Sequence, residues 1–176
     1  MEGTEMLTYF QEKDLVRISD QQPANWEEAI RISCDNLIEK EIINQIYVDE
    51  VVAAVHKYGP YIVIVPGVAM PQSTDKSEGV FGTAIAFTKF KEKIYFEAGN
   101  EEKQAKLFFT LAAKNPDEHM ANIATLSDLL MTDGVIEALE NIESIVDFEI
   151  FSNNLLQAHG TLRKSSCLLL LETKNI

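Results

Sequence analysis

Long apolar runs are missing from this 176-residue chain. A membrane-spanning helix needs roughly 18 to 20 consecutive apolar residues, and the apolar run near the chain's end, Cys167–Leu171, is far shorter. A signal peptide is not indicated, because Met1–Phe10 carries Glu2 and Glu5 where positive charge is expected, and it lacks an apolar core. The sequence therefore predicts a cytoplasmic protein that does not insert directly into a membrane.

Cysteine and positive charge are both scarce. The two cysteines, Cys34 and Cys167, lie far apart in apolar surroundings, which favours packed, reduced thiols over a redox pair or a metal site. The formal net charge is −13 and the pI is near 4.6. Because nucleic acids and anionic lipids are polyanions, this charge opposes binding to either. A basic partner or a small molecule is favoured instead.

Common cofactor and catalytic motifs are absent from the sequence. It has no P-loop, no dinucleotide-binding glycine pattern and no Gly-x-Ser-x-Gly elbow. Its three histidines, His56, His119 and His159, do not have the spacing of metal ligands. The sequence predicts no cofactor and no metal.

What the chain does contain is a series of strand and helix patterns of an α/β domain, and its length suits one domain. Asn25 is a good helix cap, with Glu28 three residues later in a capping-box pattern, and Asn115 followed by Pro116 is a second strong helix start. The predicted strands are Leu15–Ser19, Tyr61–Val65, Thr83–Thr88, Lys93–Glu97 and Ala105–Ala112; the predicted helices begin after Asn25, span Val48–Tyr58, run from Asn115 to about Met131, and cover Asp133–Leu139 and Ser144–Phe151.

Three of these segments carry further expectations. Tyr61–Val65 is an uninterrupted apolar, β-branched run, which is typical of a central strand covered on both faces. The short stretch Lys89–Glu92 predicts a hairpin over Thr83–Glu97. From residue 152 onward the chain has three basic residues and one acidic residue, so we interpret residues 152–176 as an extension of unknown structure on a domain at 1–151.

The stretch Val65–Ser73 contains two prolines and a glycine in a mostly apolar segment. These residues restrict the backbone, so the loop is expected to present Gln72 in one direction. Loops that leave buried strands often carry binding groups in α/β proteins. The alternative is that this stretch is only a tight connection.

His119 lies on the same helical stripe as the apolar residues Ile123, Leu126 and Leu130, so it is expected to face the sheet from the helix's first turn. The unpaired N–H groups of that turn disfavour a charged imidazolium. The alternative is a histidine at the edge of the core, satisfied by a carbonyl.

These residues together resemble a known family. The segment from Tyr58 to Pro71 resembles the active-site segment of the bacterial phosphotransferase system (PTS) enzyme IIA components, in the mannitol/fructose class and nearest its ascorbate-type branch. Further stretches agree in order: Asn25–Ile30, Tyr47–Asp49, and Asp117–His119 with Leu129–Leu130 after it. The resemblance runs from about Leu15 to Phe151.

The resemblance implies an α/β three-layer sandwich with a central mixed sheet flanked by helices. It also implies a role in sugar transport: such proteins accept a phosphoryl group on a histidine from the histidine-containing phosphocarrier protein and pass it to the IIB component of a permease. The acceptor histidine follows Met-Pro in the family, and that position is Gln72 here. The family's supporting histidine corresponds to His119. The residues after the acceptor also differ, as Ser73-Thr74-Asp75.

Gln72 changes the expected chemistry. A neutral imidazole has a free lone pair that can attack phosphorus, whereas a carboxamide nitrogen is delocalised and is a poor nucleophile. The amide still offers a donor group and an acceptor atom, roughly where the two ring nitrogens would be. The chain as written is therefore predicted not to take up a phosphoryl group at position 72.

Three explanations of this residue remain open from the sequence. The chain is a regulator or decoy that binds the usual partners without phosphoryl transfer, or it is an ordinary transporter component in which a substitution was introduced or recorded. Alternatively, the acceptor has moved to His119, or to Ser73 or Thr74. A separate hypothesis, a small-molecule binder that uses the apolar loop and His119, predicts a deep closed pocket.

Overall fold

The computed structural model describes residues 1–73 and 76–158 of the chain. The helices are α1 (Glu5–Glu12), α2 (Trp26–Glu39), α3 (Gln45–Tyr58), α4 (Pro116–Met131), α5 (Val135–Glu140) and α6 (residues 145–158), and Glu101–Lys103 forms a short 3-10 turn. The strands are β1 (Val16–Ile18), β2 (Val63–Val65), β3 (Gly67–Ala69), β4 (Ala84–Tyr95) and β5 (Gln104–Ala112).

The five strands form one mixed sheet in the order β1-β4-β5-β3-β2. The pairs β1/β4 and β3/β5 are parallel, and the pairs β4/β5 and β2/β3 are antiparallel. The predicted mixed sheet is confirmed. The long strands β4 and β5 lie next to each other, and both are largely buried.

Helices cover both faces of this sheet. Successive side chains of a strand point to opposite faces, so β4 and β5 present apolar residues to the helices on each side. On one face, Phe109 of β5 stacks on Phe87 of β4 with ring centroids 4.7 Å apart, and these rings contact Phe10 of α1 and Phe148 of α6.

The opposite face is packed by α2. Here Phe108 of β5 contacts Phe96, which in turn stacks on Trp26 at the start of α2. Thr110 Oγ1 donates a hydrogen bond to Ser33 Oγ of the same helix at 3.1 Å. The structure therefore confirms the predicted three layers.

The helix starts follow local signals in the sequence. The side chain of Asn25 accepts a hydrogen bond from the Glu28 N–H at 2.9 Å, and the Glu28 carboxylate accepts one from the Ala24 N–H at 2.8 Å. Helix α3 starts earlier than predicted, because the Asn44 side chain caps it by accepting from the Ile46 N–H at 3.0 Å. These caps satisfy N–H groups that the helices leave unpaired.

The prediction that Tyr61–Val65 is a central, doubly covered strand is wrong. Strand β2 is the short segment Val63–Val65 at an edge of the sheet, and Ile64 and Val65 are 45% and 43% exposed. The chain turns back at once into β3, and β3 rather than β2 pairs with β5. An apolar, β-branched run indicates a strand, but its number of covered faces depends on neighbours distant in sequence. Because β3 lies between β2 and Gln72 in the chain, Gln72 follows β3 and not the predicted strand Tyr61–Val65.

The predicted hairpin over Thr83–Glu97 is also wrong. This segment is mostly the single strand β4, with a register shift between Lys89 and Ile94 where the polar residues bulge outward. The hairpin that does form joins β4 to β5. A short polar stretch resembles a turn in sequence, but a β-bulge accommodates the same residues without reversing the chain.

Both ends of the described chain go beyond the predicted elements. Helix α1 was not predicted, although it buries Met6, Leu7 and Phe10. Helix α6 continues to residue 158, past the predicted end at Phe151. The division at 151/152 remains a prediction, and residues 159–176, with His159 and Cys167, lie outside the described residues.

The described residues also bear on two expectations about cysteine and the membrane. Cys34 is fully buried in α2, and burial raises the pKa of its thiol to about 12, so the thiol stays protonated. Within 1–73 and 76–158, every helix falls short of the length and apolar character that a membrane crossing requires.

Candidate functional site

The segment that carries Gln72 is held on both sides by main-chain hydrogen bonds. The Met70 N–H donates to the Ile62 carbonyl at 2.8 Å, and the Leu111 N–H donates to the Pro71 carbonyl at 2.9 Å. Position 72 thus lies just beyond the carboxyl end of β3, beside the end of its parallel neighbour β5. This confinement places the side chain of Gln72 at one end of the sheet.

His119 comes to the same place from the first turn of α4. The Asn115 side chain caps that turn by accepting from the Glu118 N–H at 2.9 Å, and Pro116 is the first helical residue. Thr83 Oγ1 donates to Glu118 Oε2 at 2.6 Å and accepts from the Lys114 N–H at 3.0 Å. The start of α4 is therefore tied to the chain just before β4.

The structure brings the two predicted site residues into contact. The distance between His119 Nε2 and Gln72 Oε1 is 2.8 Å, and both side chains are half-buried. An amide oxygen can only accept, so Nε2 of His119 carries the hydrogen and Nδ1 holds the lone pair of the neutral ring. Gln72 Nε2 donates to the Met70 carbonyl at 3.3 Å. The acceptor for the His119 N–H is thus the side-chain amide oxygen of Gln72, which lies 47 positions earlier in the sequence.

The environment of His119 favours the neutral imidazole. Burial lowers the pKa of His119 from its ordinary value of 6.5. The position in the first turn of α4 acts in the same direction, since nearby N–H groups disfavour a cation. Near pH 7 the ring is therefore a neutral donor at Nε2.

We expect an NMR titration of the His119 imidazole to have its midpoint below that of the same residue in the urea-unfolded chain. Because the folded chain binds this proton more weakly, the contribution of His119 to stability is present above pH 6.5 and is lost as pH falls through the folded pKa. His119→Asn should flatten the pH dependence of the unfolding free energy in this range. A folded midpoint at or above the unfolded one would contradict the assignment.

Two tyrosines that the sequence did not single out complete the site. The Tyr61 hydroxyl donates to the Gln72 carbonyl at 2.5 Å. The Ser73 N–H donates to the Tyr47 hydroxyl at 3.3 Å, and that hydroxyl donates to the Leu111 carbonyl. In the sequence, Tyr47 directly precedes the predicted helix Val48–Tyr58 and Tyr61 begins an apolar run, so both resemble packing residues. No local signal distinguishes them.

The surface around the contact is open and partly apolar. Met120, the neighbour of His119, is 62% exposed, and Phe81, two residues before Thr83, is 53% exposed. A solvent-open depression of about 290 Å³ adjoins Ser73. Its lining consists of Glu50, Ala53, Ala54, Lys57, Tyr58, Ser73 and Lys76. Neither Gln72 nor His119 lines this depression, and it is open rather than the deep closed pocket expected of a small-molecule binder that uses His119.

The alternative acceptors Ser73 and Thr74 and the other described histidine, His56, lie as follows. Ser73 is half-buried beside Gln72, and Thr74 lies outside the described residues. His56 is on α3, where its ring contacts Trp26 at 4.8 Å between centroids. In the part of the chain that the structure describes, no three His, Cys, Asp or Glu side chains are grouped as metal ligands.

The fold defined by this sheet and its helices is that of the phosphotransferase-system IIA proteins. It matches the solution structure of the mannitol-specific cryptic phosphotransferase enzyme IIA from Escherichia coli with a TM-score of 0.70 and 30% identity, covering 84% of this chain and 98% of that chain. It also matches the IIA chain in a complex of the mannitol enzyme IIA and phosphorylated enzyme IIB from Escherichia coli, with a TM-score of 0.65 and 25% identity over 78% of this chain and 94% of that chain.

The sequence comparisons agree with the structural ones. The family model for the EIIA 2 component of the phosphoenolpyruvate-dependent sugar phosphotransferase system matches residues 9–154, so the chain belongs to this family. The mannitol-specific cryptic phosphotransferase enzyme IIA component of Escherichia coli is 33% identical over 131 residues, which are 74% of this chain and 86% of that protein. The ascorbate-specific EIIA component of Escherichia coli is 30% identical over 94 residues, which are 53% and 60%. The predicted family is confirmed.

Proposed function

We propose that this chain is a cytoplasmic docking module of a sugar phosphotransferase system. It binds a IIB component and the histidine-containing phosphocarrier protein at the surface around Gln72, and it does not take up their phosphoryl group. The observation that carries this proposal is the 2.8 Å contact between His119 Nε2 and Gln72 Oε1, because a carboxamide lies beside the supporting histidine where a phosphoacceptor is expected.

The chemistry of the amide supports the loss of phosphoryl transfer. Its nitrogen lone pair is delocalised into the carbonyl, so it cannot attack phosphorus in line as an imidazole nitrogen does. The Nε2 of His119 does not replace it, because that nitrogen carries the hydrogen donated to Gln72 and has no free lone pair.

The surface supports retention of the partners. The exposed apolar residues Met120 and Phe81 each lie two positions in the sequence from a partner of the Thr83–Glu118 bond. Apolar side chains beside a polar centre, in an open surface, suit a protein partner. The choice of IIB is supported by the mannitol enzyme IIA, which is known in complex with phosphorylated enzyme IIB. The similarity to a mannitol-specific and an ascorbate-specific component favours a system of one of these two types.

The docking surface can be tested with two methionines of the same helix. Met120 lies beside His119 and Met131 at the other end of α4, and they are 62% and 82% exposed. We expect Met120→Glu to weaken binding to IIB proteins of ascorbate-type and mannitol-type systems by about ten-fold or more. Met131→Glu makes the same change in charge and should leave the affinity within about two-fold. Calorimetric titration measures both.

The same samples test the chemistry. After incubation with phosphoenolpyruvate, enzyme I and the phosphocarrier protein, the unmodified chain should show no added phosphoryl mass. A label on the unmodified chain would overturn the chemical part of the proposal, and mapping it to His119 or Ser73 would identify a relocated acceptor. Equal loss of affinity in Met120→Glu and Met131→Glu, or no binding to either IIB protein, would overturn the docking part.

A further inference from the structure

We propose that Tyr47 and Tyr61 are positioning residues: their hydroxyls hold the peptide unit between Gln72 and Ser73 and thereby direct the side chain of residue 72 at His119. The inference deepens the proposed function, since it states what sets the geometry of that same site. It assigns neither tyrosine a part in bond making or breaking.

Two tyrosine hydroxyls bond both polar groups of one peptide unit. Tyr61 donates to its carbonyl, that of Gln72, at 2.5 Å. Its N–H, that of Ser73, donates to the hydroxyl of Tyr47 at 3.3 Å. With both polar groups bonded, the peptide plane cannot rotate without breaking a hydrogen bond, so the direction of the residue 72 side chain is restricted.

The Tyr47 hydroxyl also connects this peptide to the sheet. It donates to the Leu111 carbonyl, and the N–H of the same Leu111 donates to the Pro71 carbonyl at 2.9 Å. Both main-chain polar groups of Leu111, near the end of β5, are thus linked to the segment on either side of Gln72. These hydrogen bonds therefore fix the position of residue 72 relative to β5, the middle strand of the sheet.

The two tyrosines come from different elements, which makes the restraint independent of the local chain. Tyr47 lies in the first turn of α3 and is 4% exposed, whereas Tyr61 is half-buried just before β2. Burial raises the pKa of the Tyr47 hydroxyl, so it stays protonated and can donate and accept at once. If the tyrosines served only to fill space, phenylalanine would replace them without effect at the site.

The first test uses the Gln72→His chain, in which the imidazole at position 72 is expected to take up a phosphoryl group. We expect Tyr47→Phe and Tyr61→Phe each to lower the rate of uptake at saturating phosphorylated phosphocarrier protein by about ten-fold, since small misplacements of reacting groups are costly. The concentration of donor at half-saturation should stay unchanged, because neither hydroxyl needs to contact the donor. The matched control is Tyr9→Phe. The Tyr9 hydroxyl also accepts a hydrogen bond from a main-chain N–H, that of Ile85, at 3.3 Å. The rate of uptake should not change in this variant.

The second test does not depend on phosphoryl chemistry. In the unmodified chain, NMR contacts between the His119 ring and the Gln72 side chain should be weakened in Tyr61→Phe and Tyr47→Phe and retained in Tyr9→Phe. Retention of these contacts in both site variants would overturn the positioning role, whatever the rates show. If the Gln72→His chain takes up no phosphoryl group but the contacts are lost as expected, position 72 is not an acceptor position and the positioning role stands. Tyr61 is half-buried, so its variant decides the question even where Tyr47→Phe fails to fold.

Discussion

The Gln72→His variant should take up one phosphoryl group per chain from the phosphorylated phosphocarrier protein, whereas the unmodified chain should take up none. The change replaces a delocalised amide nitrogen with an imidazole nitrogen whose lone pair is available. The side chain at position 72 already lies within hydrogen-bond reach of His119, whose Nε2 hydrogen can then be donated to a phosphoryl oxygen. We expect the rate to rise by at least about a thousand-fold, by analogy with the loss caused by removing a nucleophile.

Intact-protein mass spectrometry measures the uptake, and peptide mapping locates it. The control is Gln21→His, which places a new histidine at an exposed position in a segment away from the site and should remain unlabelled. Adding His119→Ala to Gln72→His should slow uptake while leaving the label at position 72. A folded Gln72→His chain that stays unlabelled would show that position 72 is not an acceptor position in this chain.

The second large effect concerns the core beneath the site. Phe109 is fully buried, and its ring stacks on Phe87 at 4.7 Å between centroids under α1 and α6. We expect Phe109→Ala to lower the free energy of unfolding by about 3–5 kcal/mol, because it removes buried apolar contacts and leaves a cavity between sheet and helices. Urea titration followed by circular dichroism measures this change.

The matched control for the core is Phe81→Ala. Phe81 is 53% exposed, so its removal should change the free energy of unfolding by no more than about 0.5 kcal/mol. The two variants remove the same atoms, one set from the core and the other from the surface. Similar losses for Phe81 and Phe109 would show that the packing between sheet, α1 and α6 is not a main source of stability.

Some elements of this fold could be predicted because their signals are local. Asn25 and Asn115 each cap a helix by accepting an N–H three residues later, a contact within one turn of chain. Helix α1 illustrates the limit, since its stripe of Met6, Leu7 and Phe10 is short and lacks a side-chain cap. Local hydrogen bonding and periodicity reveal a helix when both are strong, and otherwise burial against distant strands decides it.

The strands show the same limit more clearly. The run Tyr61–Val65 indicates a strand by composition, but β2 lies at the sheet edge because β3 takes the place beside β5. Which strands become neighbours depends on pairings between residues far apart in sequence, such as Val68 with Leu107. No property of the five residues themselves carries that information.

By itself, the sequence determined the family and the chemical nature of position 72, because the run from Tyr58 to Pro71 and the reactivity of an amide are properties of the residues alone. Only the tertiary structure decided that Gln72 meets His119 and that Tyr47 and Tyr61 hold the peptide that follows Gln72. The physical reason is that these contacts are short-range interactions between side chains distant along the chain, and they exist only once the sheet has brought α3, β3 and α4 to one end.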